Sequence, residues 1–133
     1  MNLPTVIANL TILAIGPATL EAPITPVLEF ERTAYKVSLA MADYEGYNKP
    51  GTMARRYNNP GALLYKGQPG CKRGSAGYAK CKTPEDGWMA LHRLIARRLA
   101  DGLTVRQIVA LHAPASHGNE TKKYQNFVEE RIK

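Results

Sequence analysis

The pattern of apolar and polar positions predicts a first helix over residues 27–45. Apolar side chains recur there at helical spacing, and the stretch contains neither Gly nor Pro. Gly46 follows and is typical of a helix end, so we expect Glu45 in the last turn. At that place the negative end of the helix dipole favours the protonated form of a carboxyl group.

A second long helix is predicted to begin after residue 83. Thr83 is a typical N-cap, Pro84 suits the first helical position, and two acids complement the helix dipole. Gly102 provides the stop signal. The expected apolar face consists of Trp88, Leu91, Ile95 and Leu99.

Two shorter helices complete the C-terminal part of the chain. Thr104 and Gln107 match a capping box, which predicts a helix through His112 that Pro114 ends. The last helix is expected after Thr121. Its apolar face comprises Tyr124, Phe127, Val128 and Ile132.

Most of the Gly and Pro of the domain lie in residues 46–82, with tyrosines scattered among them. This composition indicates loops and short strands. The candidate strands are residues 62–65 and 77–80, joined across a loop that Cys71 and Cys81 flank. The whole pattern predicts an α+β fold that is mainly helical, with a small β-hairpin insertion.

The first 20 residues contain no charged side chain. An export signal, a membrane or virion anchor, and a buried structural segment all remain open, since Pro4 and Pro17 interrupt the apolar run. The prolines in residues 17–26 indicate a linker. We therefore divide the 133 residues into an apolar N-terminal segment with its linker, residues 1–26, and one domain, residues 27–133.

The chain carries 18 basic and 11 acidic residues and a formal charge of +7, which favours an anionic partner. Nucleic acid, anionic lipid and bacterial cell wall all satisfy this condition. The basic residues are spread from Arg32 to Lys133 and are not concentrated on one recognition helix, so no nucleic acid is expected as a partner.

The cysteine and histidine positions predict no metal site. Zinc would need four ligands in paired spacings, and His92, His112 and His117 follow no such pattern. Cys71 and Cys81 leave both a disulfide and two free thiols open, because sequence does not report the distance between their Cα atoms.

Glu45 is the candidate for acid chemistry. Cleavage of a glycan needs a proton donor for the leaving oxygen, and a carboxyl group in a crowded pocket can hold its proton near neutral pH. Tyr44 and Tyr47 flank Glu45, and the loops that follow provide the wall of a cleft. A solvated surface carboxylate is the alternative interpretation.

A set of short motifs resembles phage-associated lytic enzymes of the lysozyme-like, lytic transglycosylase superfamily. Their pattern is Glu-Gly, a short loop and Asn-Asn-Pro-Gly, which residues 45–46 and 58–61 match. Further matches follow in the same order along residues 27–133. They are residues 77–79, 83–91, 113–114 and 119–121, and then Tyr124.

The resemblance implies a lysozyme-like catalytic domain in which Glu45 is the acid that cleaves between N-acetylmuramic acid and N-acetylglucosamine. Such enzymes often lack a second catalytic carboxylate, and the substrate's own N-acetyl and 6-hydroxyl groups complete the displacement. Asp43 points off the face of Glu45, and Glu85 and Asp86 are explained by helix capping. We therefore expect a lytic transglycosylase rather than a hydrolase.

The same resemblance implies peptidoglycan as the partner and neither a metal nor an organic cofactor. It places the protein in the periplasm, elsewhere outside the cytoplasm, or in a virion, and we expect a monomer. Five side chains are candidates for substrate binding, with turn or core roles as their alternatives. They are Asn58, Asn59, Tyr65, Tyr78 and Tyr124.

Three other functions remain open. The same scaffold is compatible with cleavage of the peptide cross-links, which would release new amines. A virion or secretion-machinery component would bind cell wall without cutting it. A nucleic-acid binder would show strong, salt-dependent retention on DNA.

Overall fold

The computed structural model describes the backbone of residues 17–133 and the side-chain surroundings of residues 28–133. Helices dominate this part of the chain, and a two-stranded antiparallel sheet interrupts them, so the mainly helical α+β class is confirmed. The elements are α1 (Pro17–Tyr44), α2 (Met53–Arg56), β1 (Cys71–Arg73), a 3-10 turn (Ser75–Gly77), β2 (Ala79–Cys81), α3 (Pro84–Ala100), α4 (Val105–His112), a second 3-10 turn (Ala115–His117) and α5 (Thr121–Arg131).

Helix α1 begins at Pro17, ten residues before the predicted start at Val27. Residues 17–26, for which the sequence predicts a linker, are therefore helical. Proline has a backbone φ that suits a helix, and at the first position its missing N–H has no role. Pro23 and Pro26 lie further inside and remove two amide donors, but the helix continues through them to Tyr44.

The predicted helix boundaries in the C-terminal part are confirmed. The Thr83 hydroxyl accepts a hydrogen bond from the amide of Asp86 at 3.2 Å, as an N-cap should. Thr104 and Gln107 form the expected capping box, with bonds of 3.1 and 2.8 Å. Each of these bonds joins residues only three positions apart, which is why the sequence predicts them well.

The hairpin is present, but its first strand is not the predicted one. β1 pairs antiparallel with β2 so that Cys71 faces Cys81, and a disulfide joins the two. Residues 62–65 are not a regular strand and form one isolated bridge, between Leu64 and Tyr78. Backbone bonds on either side of that bridge hold this segment along the hairpin, including one of 2.8 Å from the amide of Ala79 to the carbonyl of Leu63. The segment is too short to continue the ladder.

The core lies where α1, α3, α4 and α5 meet. Its largest fully buried apolar side chains include Val37, Met41, Leu91, Ile95, Ile108, Val109 and Val128. Gly87 on α3 lets this helix approach the loop after α2 closely. A Cβ atom at residue 87 would lie 1.8 Å from the backbone oxygen of Asn58, so only glycine fits there. The loop that follows α2 is thus fixed against α3.

The predicted signal or anchor falls largely on residues 1–16, which lie outside the described residues. Among the helices of the described part of the chain, none has the length and apolar character required to cross a bilayer.

Candidate active site

The end of α1 places Glu45 where several elements converge. Glu45 donates its amide to the carbonyl of Met41 at 2.9 Å, so it closes the last turn as predicted. Gly46 has a φ of +85°, a left-handed conformation that turns the chain away from the helix axis. The hydroxyl of Thr52 donates to the carbonyl of Gly46 at 2.8 Å and fixes this turn.

His112 is the hydrogen-bond partner of Glu45. Its Nε2 atom lies 3.1 Å from Oε2 of the carboxyl group, although 67 positions separate the two residues. The side chain of His112 is 9% exposed and that of Glu45 is 21% exposed. Carboxylic acid with neutral imidazole and carboxylate with imidazolium both form this bond. The pair therefore places a carboxyl group bonded to an imidazole at the edge of solvent.

Aromatic rings enclose the inner side of this pair. The rings of Tyr44 and Tyr124 stack with centroids 3.9 Å apart, and the ring of His112 meets Tyr124 edge-on at 5.8 Å. The Tyr124 hydroxyl is buried and has no partner with hydrogen-bond geometry among the described residues. Burial raises the pKa of Tyr124 far above its usual range, and the charge of Glu45 and the closeness of the hydroxyl to that carboxyl group raise it further. Tyr124 thus stays a neutral phenol facing the carboxyl group.

The neighbouring carboxylates are engaged elsewhere. Asp43 pairs with Arg131 at 2.6 Å, and the hydrogen bonds from Arg131 and Asn48 lower the pKa of Asp43. Asp86 accepts from the Thr83 hydroxyl at 3.0 Å at the start of α3, which confirms its capping role. Among the described residues, no second carboxylate forms a hydrogen bond with the Glu45–His112 pair.

A groove of about 740 Å³ opens next to this pair, between α3, α4 and residues 62–69. His112 forms part of its wall, whereas Glu45 itself does not. Three large apolar side chains in the wall are unusually exposed: Leu64 by 53%, Met89 by 50% and Leu111 by 58%. Exposed apolar surface in a concave site is typical of a place that binds a ligand.

Asn59 has a structural role, contrary to the prediction that it binds substrate. Its side chain is buried, and its Nδ2 donates to the carbonyls of Leu63 and Ala79 at 2.9 Å each. Its Oδ1 accepts from the amide of Leu63, also at 2.9 Å. Both donors of the amide group and one acceptor site of its oxygen are thus used on backbone atoms, and burial keeps a sugar away, so Asn59 joins the loop to the hairpin.

Asn58 has a similar place at the edge of the hairpin. Its Nδ2 donates to the carbonyls of Cys81 and Lys82 at 3.1 and 3.3 Å, and its φ of 50° is the left-handed conformation that Asn tolerates in turns. The turn-forming alternative of the sequence analysis therefore accounts for Asn58, and its predicted sugar contact has no support from this geometry.

The structure does not bring the other two tyrosines into the groove. Tyr65 is half-buried, with the guanidinium of Arg73 5.5 Å from its ring centroid, and Tyr78 pairs with Leu64 across the isolated bridge. Neither belongs to the groove wall, which includes Leu64 and Lys66 on either side of Tyr65. Of the five predicted binding residues, only Tyr124 lies beside Glu45.

His112 is the site residue that the sequence analysis missed. The signal was its position at the end of a capped helix, directly before the Ala-Pro pair that belongs to the resembling motifs. A histidine at that place is typical of a helix C-terminus, where it complements the helix dipole. Only the packing of α4 and α1 against the same helices, α3 and α5, brings it to its partner Glu45.

No group of three or more His, Cys, Asp or Glu side chains within the described residues is arranged to hold a metal ion. The chain matches no protein-family model, and searches of curated proteins and of solved structures found no match.

Proposed function

We propose that the chain is a lysozyme-like peptidoglycan lytic transglycosylase that cleaves glycan strands with Glu45 as its acid. The observation that carries the proposal is the Glu45–His112 hydrogen bond at the edge of an open groove with exposed apolar side chains. The order of elements agrees with the resemblance, since a helix ending at the acid precedes a small hairpin and further helices.

In the proposed reaction Glu45 donates its proton to the glycosidic oxygen as the bond to the sugar breaks. The substrate's N-acetyl group stabilises the cation that develops, and its 6-hydroxyl then attacks the same carbon. Glu45 takes the proton of that hydroxyl, so the enzyme returns to its starting state and the product is an anhydro sugar. This cycle needs one carboxyl group, in contrast to the pair of carboxylates that hydrolysis uses.

His112 positions the acid in this scheme. Because its bond engages Oε2 of Glu45, the other carboxyl oxygen is the one that can face the glycosidic oxygen. The aromatic rings of Tyr44 and Tyr124 keep water away from the inner side of the carboxyl group. The positive charge of the chain draws it to the anionic wall.

The test is clearance of purified sacculi by the wild type and by Glu45→Gln, with mass spectrometry of the released fragments. We expect anhydro-muropeptides from the wild type and at least a hundredfold slower release by Glu45→Gln, in line with the loss of a general acid. Glu29→Gln, an exposed acid on the same helix, is the matched control and should clear at the wild-type rate.

Other products would replace this proposal with one of its rivals. Reducing ends without anhydro sugars would indicate a hydrolase, and new amines would indicate an endopeptidase. Binding to sacculi without clearance would indicate a wall-binding component. Undiminished clearance by Glu45→Gln would exclude Glu45 as the acid.

A further inference from the structure

The groove beside His112 has a cationic end. Arg93, Arg97 and Arg98 follow one another on the face of α3 that lines the groove, and Lys66 lies opposite them on the loop. Within the described residues none of these four forms an ion pair with a carboxylate. Four like charges around one concavity repel each other, so an anion between them would lower the free energy of the site.

Two arginines that join one helix to another are paired. Arg106 contacts Glu129 at 2.6 Å, and Arg131 contacts Asp43 at the same distance. The fold therefore neutralises arginines that fix helices to each other, whereas those in the groove keep their donors available.

Arg98 supplies a second, independent observation. Its Nη1 atom is buried and has no hydrogen-bond partner among the described residues, although the side chain belongs to the groove wall. A buried guanidinium nitrogen without an acceptor is unfavourable, because it has lost its water and gained nothing in exchange. A carboxylate in the groove would supply the missing acceptor once the guanidinium of Arg98 turns Nη1 toward it, and the planar guanidinium suits a carboxylate geometrically.

The charges that line the groove change sign along α3. Glu85 and Asp86 lie at the beginning of this helix, and Arg97 and Arg98 lie near its end. The eleven helical steps from residue 86 to residue 97 span about 17 Å. A ligand with a neutral part and an anionic part fits this gradient better than a polyanion, which Glu85 and Asp86 would repel.

We propose that Lys66, Arg93, Arg97 and Arg98 bind the carboxylates of the peptidoglycan stem peptide while the glycan lies near His112. This inference rests on the proposed function and deepens it, since it gives the enzyme a preference for strands that still carry their peptides. The stem is attached to the same muramic sugar whose glycosidic oxygen Glu45 would protonate, so one groove can hold both parts of the substrate.

The experiment compares binding of two soluble glycan fragments of equal length, one with stem peptides and one without. Affinities are measured by calorimetry with the Glu45→Gln protein, which prevents turnover. We expect the double variant Arg93→Gln/Arg97→Gln to bind the peptide-bearing fragment about tenfold more weakly, and the bare fragment unchanged, because the lost contacts are charge-assisted. The affinity for the peptide-bearing fragment should also fall as salt is added.

Arg32→Gln/Lys36→Gln is the matched control, since it removes two exposed positive charges from α1, outside the groove. It should leave both affinities unchanged. Equal affinity of the parent protein for the two fragments, or an equal loss in the control, would overturn the inference. A single-stranded oligonucleotide that binds through the same arginines more tightly than the peptide-bearing fragment would overturn it as well.

The two experiments distinguish a failure of the stem-peptide site from a failure of the proposed glycan cleavage. Clearance of sacculi with no preference between the fragments would remove the stem-peptide site and leave glycan cleavage standing. Arginine-dependent preference for the peptide-bearing fragment, with no anhydro-muropeptides released by the wild type, would support the site and remove the transglycosylase proposal.

Discussion

Glu45 and Asn59 both belong to the motif that resembles lytic enzymes, yet their side chains have opposite surroundings. Asn59 is buried, and three hydrogen bonds of 2.9 Å use its amide group on backbone atoms. Glu45 is partly exposed and has one hydrogen-bond partner, His112, at the edge of a groove. The comparison teaches that one short motif can combine residues that hold the fold with residues whose polar atoms stay available for chemistry.

Removal of the Asn59 side chain should produce the largest loss of stability. Asn59→Ala leaves the carbonyl of Ala79 and the amide of Leu63 without their partner in a buried place and takes one of two donors from the carbonyl of Leu63, so we expect a loss of about 3 kcal/mol in the free energy of unfolding. Chemical denaturation measures it. Asn119→Ala removes one exposed bond to the carbonyl of Pro114 and serves as the control, with a much smaller loss. An Asn59→Ala protein with the midpoint of the wild type would contradict the structural role.

A change at His112 should lower activity and leave stability nearly unchanged, in contrast to a change at Asn59. His112→Gln keeps a polar group near Glu45 but removes the titrating ring, so we expect about a tenfold lower kcat/KM on sacculi and a changed pH profile. The free energy of unfolding should change by less than about 1 kcal/mol. His117→Gln, an exposed histidine in the 3-10 turn, is the control. An unaltered pH profile in His112→Gln would remove His112 from the positioning of the acid.

Tyr124→Phe tests whether the hydroxyl next to Glu45 is unsatisfied. A buried hydroxyl without a partner is unfavourable, so its removal should leave stability unchanged or raise it by up to about 1 kcal/mol. Thermal unfolding at neutral pH shows whether the variant is more or less stable than the wild type. Tyr35→Phe on the exposed face of α1 is the control and should have no effect. A clear loss of stability in Tyr124→Phe would mean that the hydroxyl is bonded to the carboxyl group.

The smallest effect is expected at Asp43. Its pKa is lowered in the folded state, so its pair with Arg131 stabilises the protein above the unfolded-state pKa, and this stabilisation is lost as pH falls through the folded-state pKa. The pair is partly exposed and screened by solvent, so Asp43→Asn should lose roughly a few tenths of a kcal/mol at pH 7. Unfolding at pH 7 and pH 2 measures it, and an equal loss at both would contradict the ion pair.

Local chemistry made the helix boundaries predictable. The caps at Thr83 and Thr104 and the turn at Gly46 depend on bonds between residues three to five positions apart, or on the conformational freedom of one residue. The same reasoning misjudged the start of α1, because prolines 23 and 26 break local hydrogen bonds and the helix nevertheless continues through them.

The sequence by itself determined the mainly helical α+β class, the caps at Thr83 and Thr104 and the position of Glu45 at the end of α1, because these depend on neighbours along the chain. Only the tertiary structure decided the strand pairing, the burial of Asn59 and the partner of Glu45. Asn59 binds a carbonyl 20 positions away, and His112 lies 67 positions from Glu45. Such contacts exist only once the helices and the hairpin have packed together, so no local pattern encodes them.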